Sequence, residues 1–159
     1  MDGVKEIGAN AFQTCTGLKG DLVIPNTVTT IGANAFNACS FENLTLSSSM
    51  TEVSDLAFAG AQFTGNLIIP SSVQSIGTSA FGGCSFSGTL TIPEGVKTIK
   101  SQAFNGCDGF TGELKIPNSV TEIGTKAFNS CTKLSKIILE NKNATIGESA
   151  FPEGVTVEK

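Results

Sequence analysis

Short apolar runs alternate with polar turns along this chain, and the alternation repeats. The dipeptide Ala-Phe recurs with its ring at Phe12, Phe36, Phe58, Phe81, Phe104, Phe128 and Phe151, at spacings of 24, 22, 23, 23, 24 and 23 residues. Self-similarity at a fixed period of this length is the signature of a repeat architecture. Three residues after the ring stand Cys15, Cys39, Ala61, Cys84, Cys107, Cys131 and Gly154. Five or six after it stand Leu18, Phe41, Phe63, Phe86, Phe110 and Leu134. A run of period two follows, as in Leu67-Ile68-Ile69-Pro70, Leu90-Thr91-Ile92-Pro93 and Leu114-Lys115-Ile116-Pro117. Each unit closes with an apolar pair, such as Val28/Ile31, Val73/Ile76 or Val120/Ile123.

Each unit reads as one coil of a solenoid. Period two puts Leu and Ile on one face and the residue between them on the other, which predicts a strand. Strands this short gain stability only when the next coil lays its equivalent beside them, in parallel and roughly 4.8 Å away. Pro25, Pro70, Pro93 and Pro117 end the ladder by lacking an N–H. Gly8, Gly32, Gly77, Gly124 and Gly147 follow the second apolar pair and predict a tight corner, with Ser54 and Lys100 in the same place. From Ile31 to Ala35, Phe36 and Cys39 the offsets are four, five and eight, which predicts a short α or 3₁₀ segment. The alanine before every ring predicts a place where only a methyl fits, with the ring filling the middle of the coil.

Composition narrows the chemistry. In 159 residues there is no His, Trp or Tyr, and all 10 basic residues are lysines against 14 acids, for a net charge of −4. Without histidine, Ser-His-Asp and Cys-His catalysis lose their usual base and His-containing zinc sites are excluded. An acidic chain without arginine is poorly suited to nucleic acid. No apolar stretch approaches the roughly 18 residues of a membrane span, so no membrane insertion is expected. The stretch from Met1-Asp2-Gly3 does not have the basic-then-apolar form of a signal peptide.

The unit Leu114-Lys115-Ile116-Pro117-Asn118-Ser119-Val120-Thr121-Glu122-Ile123-Gly124-Thr125-Lys126-Ala127-Phe128-Asn129-Ser130-Cys131 resembles the BspA-like class of leucine-rich repeats. The resemblance extends over nearly the whole chain. It implies a right-handed solenoid with a parallel β-sheet on one side and short helical or 3₁₀ segments at the Ala-Phe-x-x-Cys turns. A parallel β-helix is the rival fold. The third unit departs most, with Ser47 for Pro, Met50 for Val, Ser54 for Gly and Ala61 for Cys, so a kink or looser coil is expected there. Residues 1–159 are expected to form a single solenoid of about seven units, the first and last incomplete, within a longer protein. Val155-Thr156-Val157 is expected to supply a closing edge strand. The resemblance also implies a secreted or cell-surface setting and a role in adhesion and ligand binding.

Five cysteines are an odd number at the repeat spacing. They read as small buried hydrophobes with weak S–H bonds to turn carbonyls rather than as nucleophiles or a metal column. Neighbours such as Cys15/Cys39, Cys84/Cys107 and Cys107/Cys131 are the pairs placed to oxidise. No catalytic, cofactor or metal residue is expected. Asn43-Leu44-Thr45 and Asn143-Ala144-Thr145 fit a glycosylation pattern that this composition yields by chance.

Outward strand positions form two columns. Asn43, Asn66, Thr89, Glu113 and Lys136 belong to one, headed by Asp21, and Thr45, Ile68, Thr91, Lys115 and Ile138 to the other, headed by Val23. Solenoids present their ligands with such surfaces, so these ten residues are the candidate ligand-binding face. The expected function is non-catalytic interaction or adhesion with a host protein, matrix component or glycan. The alternatives are a structural spacer and an accessory repeat region of a larger enzyme.

Overall fold

The computed structural model describes residues 3–159. Fourteen short strands follow in order: β1 (Glu6–Ile7), β2 (Asp21–Val23), β3 (Thr30–Ile31), β4 (Asn43–Thr45), β5 (Glu52–Val53), β6 (Leu67–Ile68) and β7 (Ser75–Ile76), then β8 (Leu90–Thr91), β9 (Thr98–Ile99), β10 (Gly112–Ile116), β11 (Glu122–Ile123), β12 (Leu134–Leu139), β13 (Thr145–Ile146) and β14 (Thr156–Glu158). All observed pairings are parallel and join every second strand, as a solenoid requires. One side of each coil is an even-numbered strand, paired as β2-β4, β6-β8 and β10-β12-β14. A second side carries the odd-numbered strands, paired as β1-β3 and β5-β7-β9-β11-β13. The closing strand foreseen near residue 156 is β14, in register with β12.

The third side corrects one expectation. The Ala-Phe-x-x-Cys segment is not helical but a run of overlapping turns. In the second such run, Ala35 N–H donates to the Gly32 carbonyl, Asn37 N–H to Asn34 and Cys39 N–H to Phe36, each three residues back. The N–H groups between them point to the next coil: Asn34 to Asp55, Phe36 to Ala57 and Ala38 to Ala59. A helix would turn every N–H back on its own coil. Here alternate donors are kept for the ladder, and positive φ at Asn34 (57°) and Ala38 (55°) makes that geometry. Both sit third in their four-residue turns, the position that type II turns give to positive φ. Offsets of four and five arise from this run as readily as from a helix.

The interior is apolar and columnar. Rings of Phe12, Phe36, Phe58, Phe81, Phe104 and Phe128 stack at centroid distances of 5.1–5.5 Å with interplanar angles below 10°. A second column, Phe63–Phe86–Phe110, stacks beside it and meets the first edge to face. Offset stacks and edge contacts are the favoured aromatic geometries. Phe36 to Phe128 are buried, and the alanine before each of those rings is also buried. Phe12 is 38% exposed because no described coil covers that side of it.

The corner glycines serve close approach rather than positive φ. A Cβ on Gly124 would lie 2.4 Å from the Ser101 nitrogen and 2.7 Å from the Lys100 carbonyl carbon, whereas one on Gly8 meets nothing within 4 Å. Gly124→Ala is expected to cost about 1–3 kcal/mol through backbone displacement, and Gly8→Ala almost nothing. Urea midpoints of the two variants check this, and equal midpoints would refute the close-approach reading. At Lys100 a Cβ is accommodated with the ladder intact, since its N–H still donates to the Ile76 carbonyl.

The irregularity expected at the third unit is present as broken ladders. β3 does not pair with β5, and β4 does not pair with β6, and a further gap outside this unit separates β8 from β10. This unit has the shortest spacing, 22 residues. Ser47, in the proline's place, is buried and donates its hydroxyl to the Val28 carbonyl at 2.6 Å. Met50 and Ala61 are buried too, so the core continues through the break.

Candidate binding face

The even-numbered strands carry the two columns foreseen from the sequence. Asp21 is in register with Asn43, Val23 with Thr45, Ile68 with Thr91, Glu113 with Lys136 and Lys115 with Ile138. Eight of the ten candidate residues, Asn43, Thr45, Asn66, Ile68, Thr89, Thr91, Glu113 and Lys115, are exposed, while Lys136 and Ile138 are half-buried. Alternation places them outside because Leu67, Leu90, Leu114, Ile116, Ile137 and Leu139 take the buried positions of the same strands and their ends.

The face divides into two halves. At the coils of β10, β12 and β14 it is charged and internally paired. Lys115 Nζ lies 2.8 Å from Glu140 Oε1, and Lys136 pairs with Glu158. Hydrogen bonds with these lysines hold the Glu140 and Glu158 carboxyls below the usual carboxylate range, and the same contacts raise both lysines. Such exposed pairs orient side chains more than they stabilise the fold.

At the coils of β2 to β8 the face is apolar and hydroxylic. Asn43 Nδ2 donates to Asp21 Oδ1 at 2.6 Å, and Asn66 Oδ1 accepts from the Thr89 N–H at 2.8 Å and its hydroxyl at 3.1 Å. Val23 and Ile68 project with 61% and 65% of their surface exposed. Between β4 and β6 the interrupted ladder opens a cleft of about 320 Å³, lined by Leu44, Thr45, Leu46, Asn66, Ile68 and Pro70. Sequence reading placed Asn66, Thr45 and Ile68 here but missed Leu44, Leu46 and Pro70, which it took as core and turn. Its only signal was the set of departures in the third unit.

The thiols lie apart from this face. Cys39, Cys84, Cys107 and Cys131 are buried, and each donates its S–H to a phenylalanine carbonyl of the preceding coil: Phe12, Phe58, Phe81 and Phe104, at 2.9–3.2 Å. The same carbonyl accepts the N–H of the residue three places on, so each thiol fills a turn acceptor's second lone pair. Burial raises all four, Cys107 to about 12, the opposite of what a nucleophile needs. All five cysteines are free. Among the described residues no group of three or more His, Cys, Asp or Glu side chains converges to hold a metal ion, and no helix is long and apolar enough to cross a membrane.

No curated protein matches the chain. Solved structures share its fold, three of them as follows. A leucine-rich repeat protein from Bacteroides ovatus ATCC 8483 is 23% identical, with 93% of this chain and 56% of that one covered and a TM-score of 0.54. The pneumococcal vaccine antigen PcpA is 18% identical, over 93% of this chain and 47% of its own, with a TM-score of 0.61. The T. pallidum leucine-rich repeat protein TpLRR is 23% identical, over 95% of this chain and 83% of its own, with a TM-score of 0.57. The chain thus spans about half the length of the first two. The family model described as the BspA type leucine-rich repeat region, six copies, matches residues 1–111 and again 51–158. With coils that stack phenylalanine on phenylalanine at that same repeat, the chain belongs to the BspA type leucine-rich repeat family.

Proposed function

We propose that this solenoid is a non-catalytic binding module of a secreted or cell-surface protein, and that it engages a host protein, matrix component or glycan on the face of the even-numbered strands. The observation that carries this reading is the exposed, regularly spaced double column, held by a rigid stacked core. A preorganised surface loses little entropy on binding. Its lack of Trp, Tyr and Arg removes the side chains that dominate tight hot spots, so affinity per copy is modest and avidity supplies the rest. A vaccine antigen among the structural relatives is in keeping with an extracellular setting.

The test is adhesion of the purified chain to immobilised matrix proteins and a glycan array, compared with Ile68→Arg, Thr91→Arg and Lys115→Glu. Binding is expected to fall at least about tenfold in the combined variant while its melting temperature is retained. A chain that adheres to nothing, with or without the substitutions, is a spacer. Unchanged binding by the variant moves the site off this face.

A further inference from the structure

The cleft between β4 and β6 differs from the rest of the face. Elsewhere on the apolar half, strands are paired (β2 with β4, β6 with β8) and outward side chains sit at ladder spacing. At the broken ladder the surface opens inward to the buried Leu46 and half-buried Leu44. Ile68 and Pro70 form the opposing wall. Its volume, about 320 Å³, is at the lower end of the roughly 300–1,000 Å³ typical of small-ligand pockets, which suits one inserted side chain. Val23, Thr45, Ile68 and Thr91 continue the apolar and methyl-bearing surface along the column on either side.

Charge decides what enters. Neither lysine of the double column is near the cleft, and both are committed to carboxylates, Lys115 to Glu140 and Lys136 to Glu158. The carboxylate of the columns at this end is Asp21, bonded to Asn43. An anionic glycan therefore meets no free cation of the columns, and a neutral sugar meets no Trp or Tyr on which to stack. The Asn66 oxygen is occupied by Thr89, which leaves its amide nitrogen at the rim for a partner's carbonyl. A buried apolar anchor within a polar rim is how protein interfaces concentrate their affinity.

We propose that the β4/β6 cleft is an anchor subsite for one uncharged aliphatic or aromatic side chain of a protein partner. This rests on the sheet-face reading and narrows its ligand to protein. The polar hollow beside β5, where Lys100 reaches Asp55 at 3.5 Å across Gly77, offers no comparable apolar floor.

The test is selection of a phage-displayed library of linear peptides on the immobilised chain. The selected peptides are then measured against Ile68→Asp and Thr45→Arg, which charge or cap the cleft from exposed positions, and against Lys115→Glu with Lys136→Glu in the charged half. Enriched peptides are expected to share an aliphatic or aromatic residue and to lose at least about tenfold in affinity on either cleft variant. Loss on the charged-half variant alone overturns the cleft and leaves the sheet-face reading intact. Retention on all variants overturns both for these ligands. Failure of any peptide to enrich, or enrichment of sequences without a shared apolar residue, overturns the anchor subsite.

Discussion

Phe104→Ala is expected to destabilise the chain by about 3–5 kcal/mol. The ring of Phe104 has no exposed surface and stacks on Phe81 at 5.5 Å and on Phe128 at 5.2 Å, with Phe110 against its edge at 6.4 Å. Removing it deletes apolar burial and leaves a cavity that cannot collapse. Coil separation here is fixed by the β7-β9-β11 ladder and by the turn-run bonds from Phe81 to Ala103 and from Phe104 to Ala127, so Phe81 and Phe128 cannot close on each other. Phe12→Ala provides the contrast. Its ring is 38% exposed and stacks on one partner only, so the loss is expected to be well under half as large. Denaturant midpoints measure both. Equal losses at the two positions would mean that the rings do not form a graded, one-dimensional core.

A steep alkaline transition is the second large effect. Burial holds the Cys107 proton up to about 12 against an ordinary thiol value of 9.0, and raises Cys84 and Cys131 as well. These groups are neutral in the fold and ionise in the unfolded chain. Stability is therefore fully present below about pH 9 and falls as pH rises toward 12, because the unfolded state releases protons that the fold retains. The slope grows with each thiol that stays protonated in the fold and ionises when the chain unfolds. Urea midpoints between about pH 8 and about pH 11 measure it. The triple alanine variant at these positions is less stable at neutral pH through lost packing, yet its slope above pH 9 is expected to flatten. A slope unchanged by the three substitutions would mean that the thiols are hydrated.

How much of this was legible in the sequence follows from what repeats. The period, the strand columns and the inward rings recur from coil to coil and the thiol-to-carbonyl bonds recur in four of them, so near-copies state each several times. The turn run was misread because its signature is carried by backbone angles. Residues as different as Asn34, Ala38, Leu56, Gln102 and Lys126 adopt positive φ there, and only Gly60, Gly83 and Gly106 hint at it by composition. The coil imposes the angle through its ladder, overriding the preference of L-residues against it. The cleft was hidden for the opposite reason. It lies where the coil of Ser47, Met50, Ser54 and Ala61, which breaks the repeat, meets the next, and nothing in a periodic pattern says which way a broken ladder opens. The division of the face into a paired charged half and an apolar half was likewise unreadable, since Glu140 lies outside the columns and Glu158 joins one, beside Ile138, only once β14 pairs with β12.

The central claim is that stacked coils keep phenyl and thiol groups away from water, and alkylation of the native chain followed by mass spectrometry tests it most directly. Four thiols have no exposed surface to speak of, and Cys15 alone is partly exposed. The expected result is rapid modification of Cys15 only, with Cys39, Cys84, Cys107 and Cys131 reacting at the rate of unfolding and all five reacting at once in denaturant without reductant. Rapid native labelling at Cys84, Cys107 or Cys131 would contradict the stacked interior.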